Sequence, residues 1–316
     1  MTRVTLLAGG VGGAKLAEGL AEIPEITLTV IGNVADDEEF HGLWVSPDID
    51  TMLYTLSDRV NRDQGWGLAD EGNRALEMLN CLGADTWMFL GDRDFGLHIY
   101  RTERLRRGDR PSDILADIVS KFDINSKILL PTEAKVQTRV LTDCGWLSFQ
   151  EYFVKERCKP DVLELRYDGL ESSKITPQAE QALKEAELIV IAPSNPLVSI
   201  LPILKIPGFY TALQETTAYI LAVSPLISGK ALKGPADRML TSLKYRADSV
   251  GVAHFYEDIA GYFLMDCSDR DLSGEVSKLG MIPYTTDILM PDLAGKVRLA
   301  HEILAIYKNE SRMDSK

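Results

Sequence analysis

The chain opens on a short apolar run, residues 4–7 (VTLL), after which the pattern changes character. Ala8 leads into Gly9-Gly10-Val11-Gly12-Gly13. From about Ala14 the apolar residues Leu16, Leu20 and Ile23 recur at i, i+4 and i+7, the spacing of one helix face. Residues 26–32 (ITLTVIG) are β-branched and apolar, which predicts a second buried strand. A strand, a glycine turn, a helix and a strand within this length make a βαβ unit, and hence a parallel sheet with a right-handed crossover.

Ser46-Pro47-Asp48 is a helix start, with Ser as N-cap, Pro at the first helical position and an acid in the first turn. Ile49, Met52, Leu53, Leu56 and Val60 then form an apolar stripe. Residues 65–125 read as mainly helical and charged, with a strand at 87–90. Segments 128–130, 138–141 and 146–152 read as strands of an excursion from the core. A helix over 176–187 precedes the clearest buried strand, 188–192 (LIVIA). Residues 218–223 and 249–253 repeat the strand pattern, 263–265 and 280–283 suit edge strands, and 293–307 is the last helix. The polar tail from Asn309 is expected to fray. There is no internal repeat, low-complexity segment or linker. The pattern therefore predicts one α/β unit over 1–316, a Rossmann-like doubly wound, mainly parallel sheet in three α/β/α layers. Its nucleotide-binding core falls in about 1–60 and 185–310, and a helical and β region is inserted over about 61–184.

Composition narrows the partners. With 316 residues, 45% of them apolar, the chain can bury a large core without staples. Its four cysteines are scattered, with no CxxC pair and no histidine at metal-ligand spacing, as expected of reduced thiols. The net charge of −13, from 34 Lys+Arg against 47 Asp+Glu, repels nucleic acid and anionic membranes, so neither is an expected partner. An acidic chain that handles a phosphate ester must gather cations, helix N-termini or a divalent metal at its site. No basic, apolar leader and no apolar run of transmembrane length stands in the sequence, which points to the cytoplasm.

In doubly wound sheets ligands bind beyond the carboxyl ends of the strands, so the chemistry is sought in the loops there. After the first strand, Gly10, Gly12, Gly13 and Lys15 suit a turn that aims backbone N–H groups and a charge at phosphate. The turn is neither a complete G-x-G-x-x-G nor a G-x-x-x-x-G-K-[ST] loop, and close packing alone would also call for its glycines. After the second strand six acids fall together, Asp36, Asp37, Glu38, Glu39, Asp48 and Asp50. Asp48 and Asp50 either complement a helix dipole, or hold a cation and orient a hydroxyl nucleophile. Arg93, in GDRD, suits phosphate or a carboxylate, or a buried salt bridge. His98 reads as structural rather than as a base. The run Arg101, Arg104, Arg106, Arg107, Arg110 reads as a solvated helix face. Ser194 and Asn195, and further on Lys230 and Gly234, again place hydroxyl, amide, loop backbone and charge after strands.

The segments GGVGGAK (9–15), NVADDEEFHGLWVSPDIDTMLYTL (33–56), GDRDFGLHIYR (91–101), APSNPLVSILPILKIPG (192–208) and SPLISGKALKGPADRM (224–239), in this order, resemble the 2-phospho-L-lactate transferase family of coenzyme F-420 biosynthesis. The resemblance implies transfer of a phospho-acid from a guanosine diphosphate ester of lactate, or of enolpyruvate, to the ribityl hydroxyl of the deazaflavin FO, with release of GMP. It implies magnesium (Mg2+), with Asp48, Asp50 and Asp37 as candidate ligands, and Asp48 and Asp50 as catalytic residues. FO contacts are expected at Asp50, Arg93 and His98. Phosphate contacts are expected at Gly10, Gly12, Gly13, Lys15, Ser194, Asn195, Lys230 and Gly234. Trp44, Tyr54 and Trp66 are candidate stacking surfaces, and a homodimer is the family expectation. The glycine loop reads GGVGG where some archaeal members have GGTG, which leaves the donor acid open. The competing expectation is a non-enzymatic nucleotide-sugar-binding regulator of the related gluconeogenesis-factor group. The DIDTMLYTL and GDRDFGLH segments speak against it.

Overall fold

Strands that are apolar on both faces need helices on both faces, and the central segments are of that kind. Leu188–Ile191 is buried at all four positions and Tyr219–Val223 at four of five. In the computed structural model, which describes residues 1–313, the chain begins with β1 (Thr2–Ala8), α1 (Gly10–Ala21) and β2 (Ile26–Gly32). A hairpin, β3 (Glu38–Phe40) and β4 (Leu43–Val45), leads to α2 (Pro47–Leu56). Then come α3 (Arg74–Cys81), α4 (Asp92–Arg106), α5 (Pro111–Lys121) and β5 (Lys127–Leu129). A separate antiparallel sheet holds β6 (Gln137–Thr142), β7 (Gly145–Ser148) and β8 (Glu164–Asp168). The core resumes with α6 (Pro177–Glu185), β9 (Leu188–Ile191), α7 (Leu201–Leu204), α8 (Phe209–Glu215) and β10 (Tyr219–Val223). A small ribbon, β11 (Leu226–Ile227) and β12 (Lys230–Ala231), precedes α9 (Ala236–Ser242) and α10 (Ser249–Ala253). Last are β13 (Tyr262–Asp266), α11 (Ser273–Lys278), β14 (Ile282–Thr286) and α12 (Leu293–Met313).

The main sheet has the order β14-β13-β10-β9-β1-β2-β5, with every pairing parallel. From β1 the chain winds outward through β2 to β5, and from β9 outward the other way. The β1/β9 boundary is thus a topological switch point, where loops diverge and open a crevice. Side chains of β1 divide between the two faces. Val4, Leu6 and Ala8 join a buried cluster with α1, α2, α5 and α12, while Leu7 joins another with α6, α9 and α10. The result is the three-layer, doubly wound architecture that the pattern predicts.

Several elements differ from expectation, each for a local reason. The helix after β1 starts at Gly10, so the glycines lie inside its first turn rather than before it. Residues 87–90 form no strand. Trp87 stands edge-on to Phe40, and Leu90 is buried in the same small cluster. β5 is no excursion but the edge strand of the main sheet beside β2. Residues 149–152 leave β7 for a single turn of π-helix, Glu151–Lys155. β13 is an interior strand, between β10 and β14. Residues 249–253 are helical. All five are buried, so they show no period, and Asp248 accepts a 2.9 Å hydrogen bond from Gly251 N as an N-cap. The last helix continues through Asn309 to Met313, with Glu310 bonded to the Tyr284 hydroxyl. The remainder of the tail lies outside the described residues.

Among the described residues no single helix is long and apolar enough to cross a membrane. The bent pair Pro196–Leu204 and Phe209–Glu215 passes by length and composition, but Ile200, Ile203, Phe209 and Leu213 lie in the core.

α12 lies on α1 where Gly19 leaves room for the Lys296 carbonyl, and the buried Lys296 amine pairs with Glu18 of α1. A Cβ on Gly19 would stand 2.3 Å from that oxygen. Gly19→Ala is therefore expected to cost about 1–3 kcal/mol in urea unfolding. Gly274→Ala, with nothing within 4 Å, should be neutral or stabilising.

Candidate functional site

The crevice at the switch point is a cavity of about 590 Å³ beyond the carboxyl ends of β1, β2, β9 and β10. Its floor is made by two loops packed backbone to backbone. The Ser194 hydroxyl accepts from Gly9 N (3.2 Å) and donates to Gly9 O (2.7 Å). A Cβ on Gly12 would meet Pro193 O at 2.2 Å, and Gly10 has φ +62, so glycine is required at both positions. The N-cap Gly9 offers no side-chain cap and the first turn has no acid, so apart from the Gly10 N–H, which goes to Asp48, the N-terminal donors of α1 are left suited to an anion. Lys15 lines the cavity and its amine donates to Met290 O at 2.8 Å. Burial, then Lys233 and Lys296, lower its pKa.

The acids after β2 do not form one cluster. Asp48 faces the glycine turn and receives Asn33 Nδ2 at 2.9 Å; burial raises its carboxyl to about 6. Asp36, beside it, is pushed well above the ordinary range by burial and then by Asp48, and its Oδ1 has no partner. Asp37 lies behind, in a smaller cavity. Its Oδ2 accepts from Ser46 Oγ (2.7 Å) and Trp44 Nε1 (3.1 Å), so Ser46 occupies the N-cap position without capping. Asp37 Oδ1 is unpartnered, and burial pushes the carboxyl up to about 8. Asp50, one turn into α2, pairs through both oxygens with Arg101 of α4, and Ser46 N donates to it at 3.3 Å.

His98 is buried, with Nδ1 3.4 Å from Arg101 Nη1 and 3.7 Å from Asp50 Oδ2. Burial lowers its pKa to about 4, so it is neutral at physiological pH. The Tyr54 hydroxyl donates to Asp94 Oδ1 at 2.6 Å, and burial raises Asp94 to about 6. The lining also carries apolar side chains, Trp66, Met88, Phe89, Phe149 and Phe153.

Of the residues singled out from sequence, Gly10, Gly12, Lys15, Asp48, Asp50, His98, Ser194, Asn195 and Gly234 line this one cavity. Gly13 is buried beneath it, against Ala8 Cβ and Ser194 Oγ. Arg93 is exposed and donates to Ala69 O (3.1 Å), and Lys230 is exposed and pairs with Asp237 (3.5 Å). Neither lines the cavity. Tyr54 and Trp66 line it; Trp44 lines the smaller one, under the Lys135 amine. Arg101 is not part of a solvated face but buried against Asp50, 51 residues away in sequence. Asp94 was legible only as a first-turn acid of α4, and Lys233 and Asn33 gave no signal of their own.

For a metal, the expected trio Asp37, Asp48 and Asp50 does not converge. Among the described residues no group of three His, Cys, Asp or Glu is placed to hold an ion. Asp36 and Asp48 do fit a magnesium ion that takes one or two carboxylates and completes its shell with water and phosphate. Both are buried, Asp48 raises the cost of charging Asp36, and Asp36 Oδ1 is orphaned.

A glycine turn that can receive an anion, buried carboxylates and an apolar wall, joined at the switch point, define a doubly wound α/β protein built around a phosphate-type crevice. The family model for 2-phospho-L-lactate transferase, CofD, matches residues 4–290, and the chain belongs to that family. It is 34% identical over 305 residues to the 2-phospho-L-lactate transferase of Methanococcoides burtonii, covering 96% of this chain and 99% of that one. It is 33% identical over 311 residues to the phosphoenolpyruvate transferase of Streptomyces coelicolor (96% and 98% covered). It is 37% identical over 310 residues to the 2-phospho-L-lactate transferase of Methanopyrus kandleri (97% and 98%). The crystal structure of a upf0052-family protein from Bacillus halodurans shares the fold, with a TM-score of 0.64 at 16% identity over 96% of this chain and 100% of that one.

Asp37 gives a pH test. Its folded pKa of about 8 lies above the unfolded value of 3.8, so the stability present below that value is lost as pH rises toward 8. In metal-free buffer Asp37→Asn should therefore exceed the wild type in urea midpoint at pH 8, and the gap should close toward pH 4.

Proposed function

We propose that the chain transfers a phospho-acid group from a guanosine diphosphate ester, of lactate or of enolpyruvate, to the ribityl hydroxyl of FO. GMP is released and coenzyme F-420-0 or its dehydro form results. The observation that carries this reading is the single cavity that joins an anion-ready glycine floor to an aromatic wall. Its volume suits small-molecule ligands. The two halves match the two halves of the chemistry, a charged diphosphate and a flat, apolar ring. The names of the relatives from Methanococcoides burtonii and Streptomyces coelicolor support the reaction class and differ in the acid, so both donors stand.

In this reading the turn at Gly10 and Gly12, with Lys15, Ser194, Asn195 and Gly234, holds the diphosphate. Trp66, Phe89, Phe149 and Phe153 flank the ring. Asp36 and Asp48 would hold magnesium, which when bound neutralises phosphate charge. Phosphoryl transfer asks mainly for in-line positioning and charge neutralisation, and a rigid floor at the carboxyl ends of the central strands supplies the first. A nucleotide-sugar regulator would have no use for the aromatic wall.

Fluorescence titration with FO, with and without magnesium and GDP, tests the reading. Saturable FO binding is expected; no FO binding with retained nucleotide-sugar binding would move the assignment to the regulator. Transfer should be abolished by EDTA and restored by magnesium, and Asp48→Asn should lower it at least ~10-fold. Undiminished turnover in EDTA would remove the metal from the site.

A further inference from the structure

Two carboxylates of the cavity are already committed. Asp50 gives both oxygens to the Arg101 guanidinium and one also to Ser46 N. Asp48 receives Asn33 and the Gly10 N–H and lies against the glycine turn, where the diphosphate belongs. Asp94 differs. It is the third residue of α4, four residues after the cavity residue Leu90, and it lines the same cavity. Its Oδ1 accepts the Tyr54 hydroxyl at 2.6 Å, and its Oδ2 has only a long contact of 3.4 Å from Gly91 N. A carboxylate offers about four acceptor positions, so Asp94 keeps lone pairs for a ligand.

The groups around Asp94 are Tyr54 and Asp50 from α2, Glu71 from the loop before α3, and Arg93 and His98 on its own helix. Arg93 turns away to Ala69 O, and neutral His98 contributes no charge. Burial first, then Asp50 and Glu71, raise the carboxyl, while the Tyr54 hydroxyl and Gly91 N–H hold it down, with a balance at about 6. A general base works best when its pKa lies near the working pH and it stands within reach of the proton.

On the transferase reading above, on which this rests, we propose that Asp94 is the general base that takes the proton of the acceptor hydroxyl. As that proton passes to Asp94, a lone pair of the hydroxyl oxygen forms the new O–P bond at the acid-bearing phosphorus. The phosphoanhydride P–O bond breaks and its electrons leave with GMP. Asp94 then returns the proton to solvent. Tyr54 positions the carboxylate and tunes it.

The test is the pH dependence of kcat from pH 5 to 8.5, with FO, the lactyl or enolpyruvyl guanosine diphosphate ester, and saturating magnesium. Wild-type kcat should fall tenfold per pH unit below about 6. Asp94→Asn should lower kcat by about 10²–10³-fold, keep KM for FO within about threefold, and abolish the acid limb. Tyr54→Phe removes a donor to the carboxylate and should move the limb to higher pH. Glu71→Gln removes a like charge and should move it to lower pH. A purely structural, helix-capping Asp94 would move none of these limbs. Asp94→Asn with an unchanged limb, or with a loss confined to FO binding, overturns the proposal alone. A wild-type chain that neither binds FO nor transfers overturns the transferase reading and the base with it.

Discussion

The buried pair of Arg101 and Asp50 is the joint on which the site hangs. Asp50 belongs to α2, which follows the second strand of the core, and Arg101 to α4, further along the chain. Both are almost fully buried, at 6% and 4% exposure. Taking two charges out of water costs several kcal/mol per ion and is offset only by good geometry and further hydrogen bonds. The structure supplies them: two contacts between the pair, Ser46 N on the carboxylate, and the Trp44 carbonyl (3.4 Å) and His98 on the guanidinium. α4 therefore cannot slide along α2 without stranding a charge. That fixes the facing of Tyr54, one turn after Asp50, and Asp94, two turns before Arg101. The hydrogen bond between them spans the same two helices.

The negative charge of the chain meets its own solution inside the cavity. Burial raises Asp36, Asp48 and Asp94, so these acids are less ionised there than they would be in water. Around them the cations are few and placed. Arg101 is spent on Asp50, whereas the amines of Lys15 and Lys233 donate to the carbonyls of Met290 and Gln64. Neither of these contacts pairs the amine with a carboxylate. The floor is thus prepared for an anion although the molecule as a whole carries −13.

The core was legible in the chain because its signals are local. A buried strand, a glycine turn and a helix succeed one another within β1–α1–β2, and LIVI stands out at β9. The glycine turn and Ser194 were legible for the same reason, since each follows directly on such a strand. What sequence reading missed depends on distant partners. Arginines at 101, 104, 106, 107 and 110 look alike in the chain, and only the fold brings Asp50 against the first of them. Asp37, Asp48 and Asp50 look like one acidic cluster. Helical geometry turns Asp50 toward α4, the hairpin β3–β4 carries Asp37 behind it, and Asp48 alone is left at the turn. α10 was misread because five buried residues carry no periodicity.

The two halves of the cavity come from different parts of the chain. The glycine and Ser194 loops after β1 and β9 supply the floor, and segments between α2 and β8 supply most of the aromatic wall, some of it half exposed: Trp66 at 43%, Phe89 at 44% and Phe153 at 40%. Exposed aromatic surface costs about 25 cal/mol per Å² relative to burial, so a flat apolar ligand gains by covering it. A wall on loops serves only if it is held in register with the floor. Here the loop bearing Trp66 is tied on both sides. Arg62 reaches the buried Glu18 of α1, which Lys296 of α12 also holds, and Lys233 clasps the carbonyl of Gln64. Because α1 is the helix whose first turn forms the floor, Glu18 couples the aromatic wall to the glycine turn through one rigid element. On the transferase reading proposed above, a ring on Trp66 would thereby be set relative to an anion at Gly10 and Gly12, which is what an in-line displacement between the two requires.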